Sequence, residues 1–141
     1  MDFEALKRYR NKSNPFAKLV GIVIEDLSLG YAKASLTVTE EKLSLYGSIH
    51  GGCGFTLADL VSGAACSTYG VIGVTATATY NFLRSAALHD TLTGVAVCRK
   101  QGAHLCSYDV TITNQDDKLM GTACFMYYIL NKNVIQLDTP Q

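Results

Sequence analysis

The plainest pattern along the chain is an alternation. Over residues 74–83, Thr75, Thr77, Thr79 and Asn81 fall on one face while Ala76, Ala78, Tyr80 and Phe82 fall on the other, the period-two signature of a strand with one polar side. The same period predicts strands over residues 91–100, 103–113 and 118–130, joined by turns at Gln101-Gly102 and Asn114-Gln115-Asp116-Asp117. Residues 31–39 also alternate, and residues 16–24, apolar and β-branched toward their end, are expected to pair with them across Gly30. Two segments break the rule. Residues 2–12 carry Phe3, Leu6 and Tyr9 at helical spacing among charges, predicting a short amphipathic helix that stops before Asn14-Pro15. Over residues 53–69 nearly every position is apolar or small and Asp59 is the only charge, predicting a helix buried on most sides and ended by Gly70.

This order of elements implies an α+β domain over residues 1–141, in which a curved antiparallel sheet covers the long helix. A carboxylate inside such a helix is costly unless it is paired, hydrogen-bonded or used, so Asp59 demands a role. One sheet leaves edges and an outer face uncovered, and self-association is expected. Residues 131–141 turn polar, contain Pro140 and are expected to fray.

Composition narrows the partners. With 12 Lys+Arg against 12 Asp+Glu and no long basic run, there is no footprint for nucleic acid or an anionic membrane. The charged amino terminus and the lack of a spanning apolar run point to a soluble, cytoplasmic protein. Five cysteines, odd in number and never spaced C-x-x-C, read as buried thiols in a reducing compartment, with neither a disulfide framework nor a metal site expected.

The segment Gly47-x-x-His50-Gly51-Gly52 followed by Leu57-Ala58-Asp59 resembles, in identity and spacing, the signature of the hotdog-fold acyl-CoA thioesterases named for phenylacetate degradation. Further similarities extend over about residues 14–130: Asn14-Pro15-Phe16-Ala17, Gly30-Tyr31-Ala32, Asn81-Phe82-Leu83-Arg84 and the run 108–114. The resemblance implies six antiparallel strands round a central helix, a homodimer or homotetramer with sites at its interface, and hydrolysis of a small or medium acyl or aryl-acyl thioester to free acid and CoA. No cofactor is implied beyond the CoA of the substrate. The family pattern has Asn six residues before its His where this chain has Ser44, a departure that leaves a hydroxyl in place of an amide.

Thioester hydrolysis needs an activated nucleophile and a place for charge on the carbonyl oxygen. By resemblance Asp59 is the base or nucleophile, and Gly51, with Gly52 beside it, offers N–H groups at the positive end of the helix. Thr56, Ser62, Gly63 and Cys66 are the helical neighbours expected to shield Asp59. His50 is expected to orient the turn through a ring hydrogen bond, and Thr75 to contact the attacking water, with Thr77 as the same-face alternative. Arg84, and more weakly Arg99 and Lys100, could meet CoA phosphates through bidentate bonds. The plainer alternatives stay open at this point: Asp59 as a structural bridge at an interface, Gly51-Gly52 as a tight turn, the threonines as good strand residues, Arg99 and Lys100 as solvated surface charges. Tyr69, Phe55, Phe82 and Tyr80 could shape an acyl pocket or fill the core. Ser44 motivates a second function, a non-catalytic acyl-CoA binder; a hotdog hydratase or dehydratase is a third.

Overall fold

The computed structural model describes residues 1–133, so the expected fraying of the tail lies outside the described residues from 134 onward. Helix α1 (Phe3–Ser13) starts at Asp2, whose carboxylate accepts the Ala5 N–H, and buries Leu6. Against the expectation of a strand from residue 16, residues 15–20 form a second short helix, α2 (Pro15–Val20). Asn14 caps it by accepting the Ala17 N–H, Pro15 occupies the first turn, and Gly21 closes it in the left-handed region at φ 78°. Six residues are too few to show a helical period, which is why the apolar run reads as a strand.

Strands β1 (Ile22–Ser28) and β2 (Tyr31–Thr37) form a hairpin, and a single 3-10 turn (Glu40–Lys42) leads to the long helix α3 (Gly51–Ser67). Strands β3 (Val71–Phe82), β4 (Thr91–Gln101), β5 (Leu105–Thr113) and β6 (Leu119–Asn133) follow. They assemble into one six-stranded antiparallel sheet in the order β1-β2-β4-β5-β6-β3. Helix α3 begins two residues earlier than expected because His50, not a residue beyond the glycines, is its cap.

The concave face of the sheet packs on α3. Leu57, Ala58, Val61, Ala64 and Ala65 are fully buried against Ala32, Ala34, Leu36, Ala96, Val110, Ile112 and Phe125. Small residues set the approach distance: a Cβ at Gly94 would sit 3.1 Å from Leu57 Cγ and 3.1 Å from Ile112 Cδ1. Of the five cysteines expected to be buried, Cys66 and Cys106 are, while Cys53, Cys98 and Cys124 are only half-buried. Cys66 and Cys106 lie 3.6 Å apart as free thiols, and burial pushes the Cys66 thiol up to about 12.

The two sheet edges differ. Along β1, the Asn11 amide of α1 accepts the Ile24 N–H at 2.8 Å and donates to the Ile24 carbonyl at 2.9 Å, covering the edge beside a bulge between Ile24 and Asp26. Asn11→Ala should therefore lower stability by about 1–3 kcal/mol, read as a reduced midpoint in urea, because two half-buried backbone groups lose partners. At the opposite edge, β3 pairs only with β6 among the described residues, and none of its side chains is fully buried.

Candidate active site

Asp59 is half-buried on α3, not enclosed by it. Its helical neighbours do not hold it: the Thr56 hydroxyl donates to the Gly52 carbonyl and the Ser62 hydroxyl to the Ala58 carbonyl, the usual recourse of hydroxyls within a helix. The partners come from strands. Thr75 Oγ1 donates to Asp59 Oδ1 at 2.6 Å, and Tyr127 Oη, from β6, approaches Oδ1 at 2.7 Å and the Asp59 carbonyl oxygen at 2.5 Å. Burial pushes the Tyr127 phenol well above its ordinary range, and the adjacent Asp59 charge adds to this, so it remains a donor at neutral pH. With Oδ1 occupied, Oδ2 is the carboxylate oxygen without a partner among the described residues.

Thr75 reaches Asp59 because β3 carries a bulge. Thr75 pairs with Tyr127 and Thr77 with Met126, so Ala76 is an extra residue. The bulge turns Thr75 to the helix side, shared by Ala78 opposite Phe125 and Tyr80 opposite Ala123, and leaves Thr77 on the outer face. The expectation that Thr75 and Thr77 share a face is thereby corrected.

At the other end of α3, His50 Nδ1 accepts the Gly52 N–H at 2.8 Å, which requires the ring proton on Nε2. The Cys53 N–H is taken by the His50 carbonyl at 2.9 Å. Of the first three helical donors only the Gly51 N–H is left without an acceptor among the described residues, which separates Gly51 from Gly52 as an anion donor. A hollow of about 30 Å3 opens there, bordered by His50, Gly51, Tyr80, Phe82 and Arg84. Ser44 lies in the turn before the helix, where its Oγ accepts the Tyr46 N–H at 3.2 Å and its backbone N–H bonds the Ser48 carbonyl.

Helix α3 runs along β3, with Gly51 beside Phe82 at one end and Asp59 beside Thr75 further on. Eight residues of helix separate Gly51 from Asp59, about 12 Å along the axis. One carbonyl group cannot touch both. The chain therefore carries two candidate half-sites, a carboxylate half and a donor half.

The chain is similar over residues 46–120 to the family described as the thioesterase superfamily. The chain belongs to that superfamily. Its relative acyl-coenzyme A thioesterase PaaI of Escherichia coli (strain K12) is 40% identical over 102 residues, 72% of this chain and 73% of that protein. The solved E. coli PaaI protein from the phenylacetic acid degradation operon superposes with a TM-score of 0.85 at 32% identity, covering 92% of this chain and 97% of that one. A hypothetical thioesterase of Streptococcus pneumoniae TIGR4, solved with coenzyme A, superposes at 0.77 with 34% identity over 80% of this chain and 91% of its own. That protein has also been solved as an Asp→Ala and a Thr→Ala variant, whose positions are 16 residues apart, the same separation as Asp59 and Thr75 here. The hotdog architecture and the resemblance on the Gly47–Asp59 segment are thus borne out.

In this thioesterase-superfamily chain the sheet gathers Asp59 and Thr75 at one half-site and His50, Gly51 and Arg84 at the other. Arg99 joins neither: its Nε pairs with Asp109 on β5, and its neighbour Cys98 lies by Gly30 and Tyr69, at the far end of α3 from Gly51. Tyr80 is half in the core and Phe55 is exposed, their rings 6.1 Å apart, and Phe82 lies tilted against Tyr80 at 4.4 Å. Tyr127 is the residue that sequence reasoning missed, lying 68 positions from Asp59 in a strand where an aromatic is an ordinary core residue. Tyr127→Phe should slow turnover about tenfold with the sheet intact, measured as kcat alongside a thermal melt, since one hydrogen bond to a charged oxygen is lost. Among the described residues no group of His, Cys, Asp and Glu is arranged to hold a metal, and no helix is long and apolar enough to cross a membrane.

Proposed function

We propose that the chain is an acyl-CoA thioesterase that hydrolyses small or medium acyl or aryl-acyl thioesters, working as a cytoplasmic homodimer or a homotetramer built from such dimers. The observation that carries this reading is the pairing of an unsatisfied Gly51 N–H with a carboxylate that presents one free oxygen, at opposite ends of an open edge strand. Antiparallel pairing of β3 with β3 of a second copy would set the Phe82 end of one strand beside the Thr75 end of the other. It would thus carry Gly51 of one subunit toward Asp59 of its partner.

In such a pair the thioester carbonyl oxygen points at the Gly51 N–H, where the helix dipole favours the negative charge that develops. His50 supports this by consuming the neighbouring Gly52 donor and holding the turn. Thr75 and Tyr127 immobilise Oδ1 of Asp59, leaving Oδ2 to take a proton from water or to attack the carbonyl carbon. Arg84, exposed beside Gly51, is placed to meet a phosphate of CoA as the thiol departs. Ser44 spends its oxygen inside its own turn and is left out of the chemistry.

Thiol release from a panel of aromatic, short-chain and medium-chain acyl-CoAs, followed with dithionitrobenzoate, tests the reading. Turnover of at least one class supports it. Tight binding of acyl-CoA with no thiol released would instead favour the non-catalytic binder that the Ser44 departure suggests. Light scattering should give a mass of two or four chains, and a monomer would sink the shared site.

A further inference from the structure

Beyond the two half-sites the fold forms a half-open cavity of about 320 Å3 on the side of Asp59 away from Gly51, walled in part by Leu6 and Arg10 of α1, Gly63 of α3, and Val71, Ile72 and Gly73 of β3. Gly63 and Gly73 leave bare backbone in its wall. A Cβ at Gly63 would sit 3.6 Å from Arg10 Nη2 and 3.6 Å from Tyr127 Oη, so the guanidinium and the phenol that holds Asp59 flank the same unfilled position. Gly63 itself is one helical turn beyond Asp59, a rise of about 5.4–6 Å.

Arg10 has no ion pair among the described residues, and its Nε is buried with no acceptor. Burial lowers the guanidinium from its ordinary value, and the Asp59 carboxylate offsets this only in part. A cation whose Nε is withdrawn from water with no ion-pair partner among the described residues is an expensive thing for a fold to keep, and its natural complement is a carboxylate bonded by two N–H groups. In the remaining wall Leu6, Val71 and Ile72 suit methylenes, while Ser13, Asn14 and Ser67 add a polar side.

We propose that this cavity receives the acyl chain and that Arg10 selects acyl-CoA thioesters whose acyl chain ends in a second carboxylate. The inference rests on the thioesterase reading above and names the substrate class of that site. A short chain of methylenes ending in a carboxylate would run from a thioester carbonyl at Asp59 past Gly63 to Arg10, and glutaryl- and adipyl-CoA are the probes of that class. Arg10 is then a specificity residue, remote from the bond that breaks.

The test compares kcat/KM for glutaryl- and adipyl-CoA with pentanoyl- and hexanoyl-CoA, by thiol release, in the full chain and in Arg10→Met and Arg10→Lys. The expected result is a preference of about tenfold or more for the carboxylated pair, carried mainly by KM, lost in Arg10→Met and partly kept in Arg10→Lys. Equal or better use of the neutral pair by the unaltered protein overturns the inference and leaves the thioesterase reading standing. So does a preference that survives unchanged in Arg10→Met. If Arg10→Met fails to fold, the unaltered protein and Arg10→Lys decide by the same ratio. No thiol release from any of the four, or from the wider panel, overturns the thioesterase reading and this inference together.

Discussion

Asp59→Asn is expected to reduce thiol release by about 10^3-fold or more while leaving the fold and its melting temperature nearly unchanged. The geometry makes the two effects separable. Oδ1 accepts from Thr75 and Tyr127, and the amide oxygen of Asn can take both bonds, so neither hydroxyl is stranded. What disappears is Oδ2, replaced by an NH2 group that can neither accept a proton from water nor attack a carbonyl carbon. Turnover with dithionitrobenzoate, near-ultraviolet circular dichroism and a thermal melt would be measured on the same sample. Activity within about tenfold of the unaltered protein would return Asp59 to a structural bridge between α3 and the sheet.

Gly51→Pro is the second large effect, an expected loss of about 10^2–10^3-fold in kcat against a change of only a few-fold for Gly51→Ala. Proline is tolerated at the first position of a helix, where its missing N–H is an orphan in any case. The residue before it must be extended, and His50 already is, at φ −66° and ψ 134°. Both variants place a Cβ about 3.1 Å from Phe82 Cε1, so both share the same crowding at the end of β3. Their difference therefore reports the N–H group together with the ring carbon that replaces its hydrogen. Equal kinetics for the two would show that Gly51 only makes the turn, and the charge on the carbonyl oxygen would need another donor.

Both experiments address residues that are legible in the sequence, whereas the partners that make them work are not. A lone carboxylate in an apolar helix and a Gly-Gly entry are local signals, confined to the 13 residues from Gly47 to Asp59, and the alternation that identifies β3 to β6 is equally local. The α+β class, the antiparallel sheet round α3 and the resemblance to the thioesterases all follow from such short-range patterns. Local patterns also misled. The apolar run after Pro15 reads as strand because a capped helix of only six residues shows no period.

Thr75 and Thr77 are equivalent in the alternation of β3; the extra residue Ala76 distinguishes them, and that bulge exists only because β3 pairs with β6. Tyr127 and Arg10 belong to segments 68 and 49 residues from Asp59 whose own patterns describe nothing more than a core strand and an amphipathic helix. The sequence alone settles which elements form and which groups carry chemistry, since periodicity and capping act over a few residues. Which oxygen of Asp59 is held, which threonine holds it and what lines the cavity beyond it are decided by tertiary structure, because strand register and helix docking set contacts between positions that no local pattern relates.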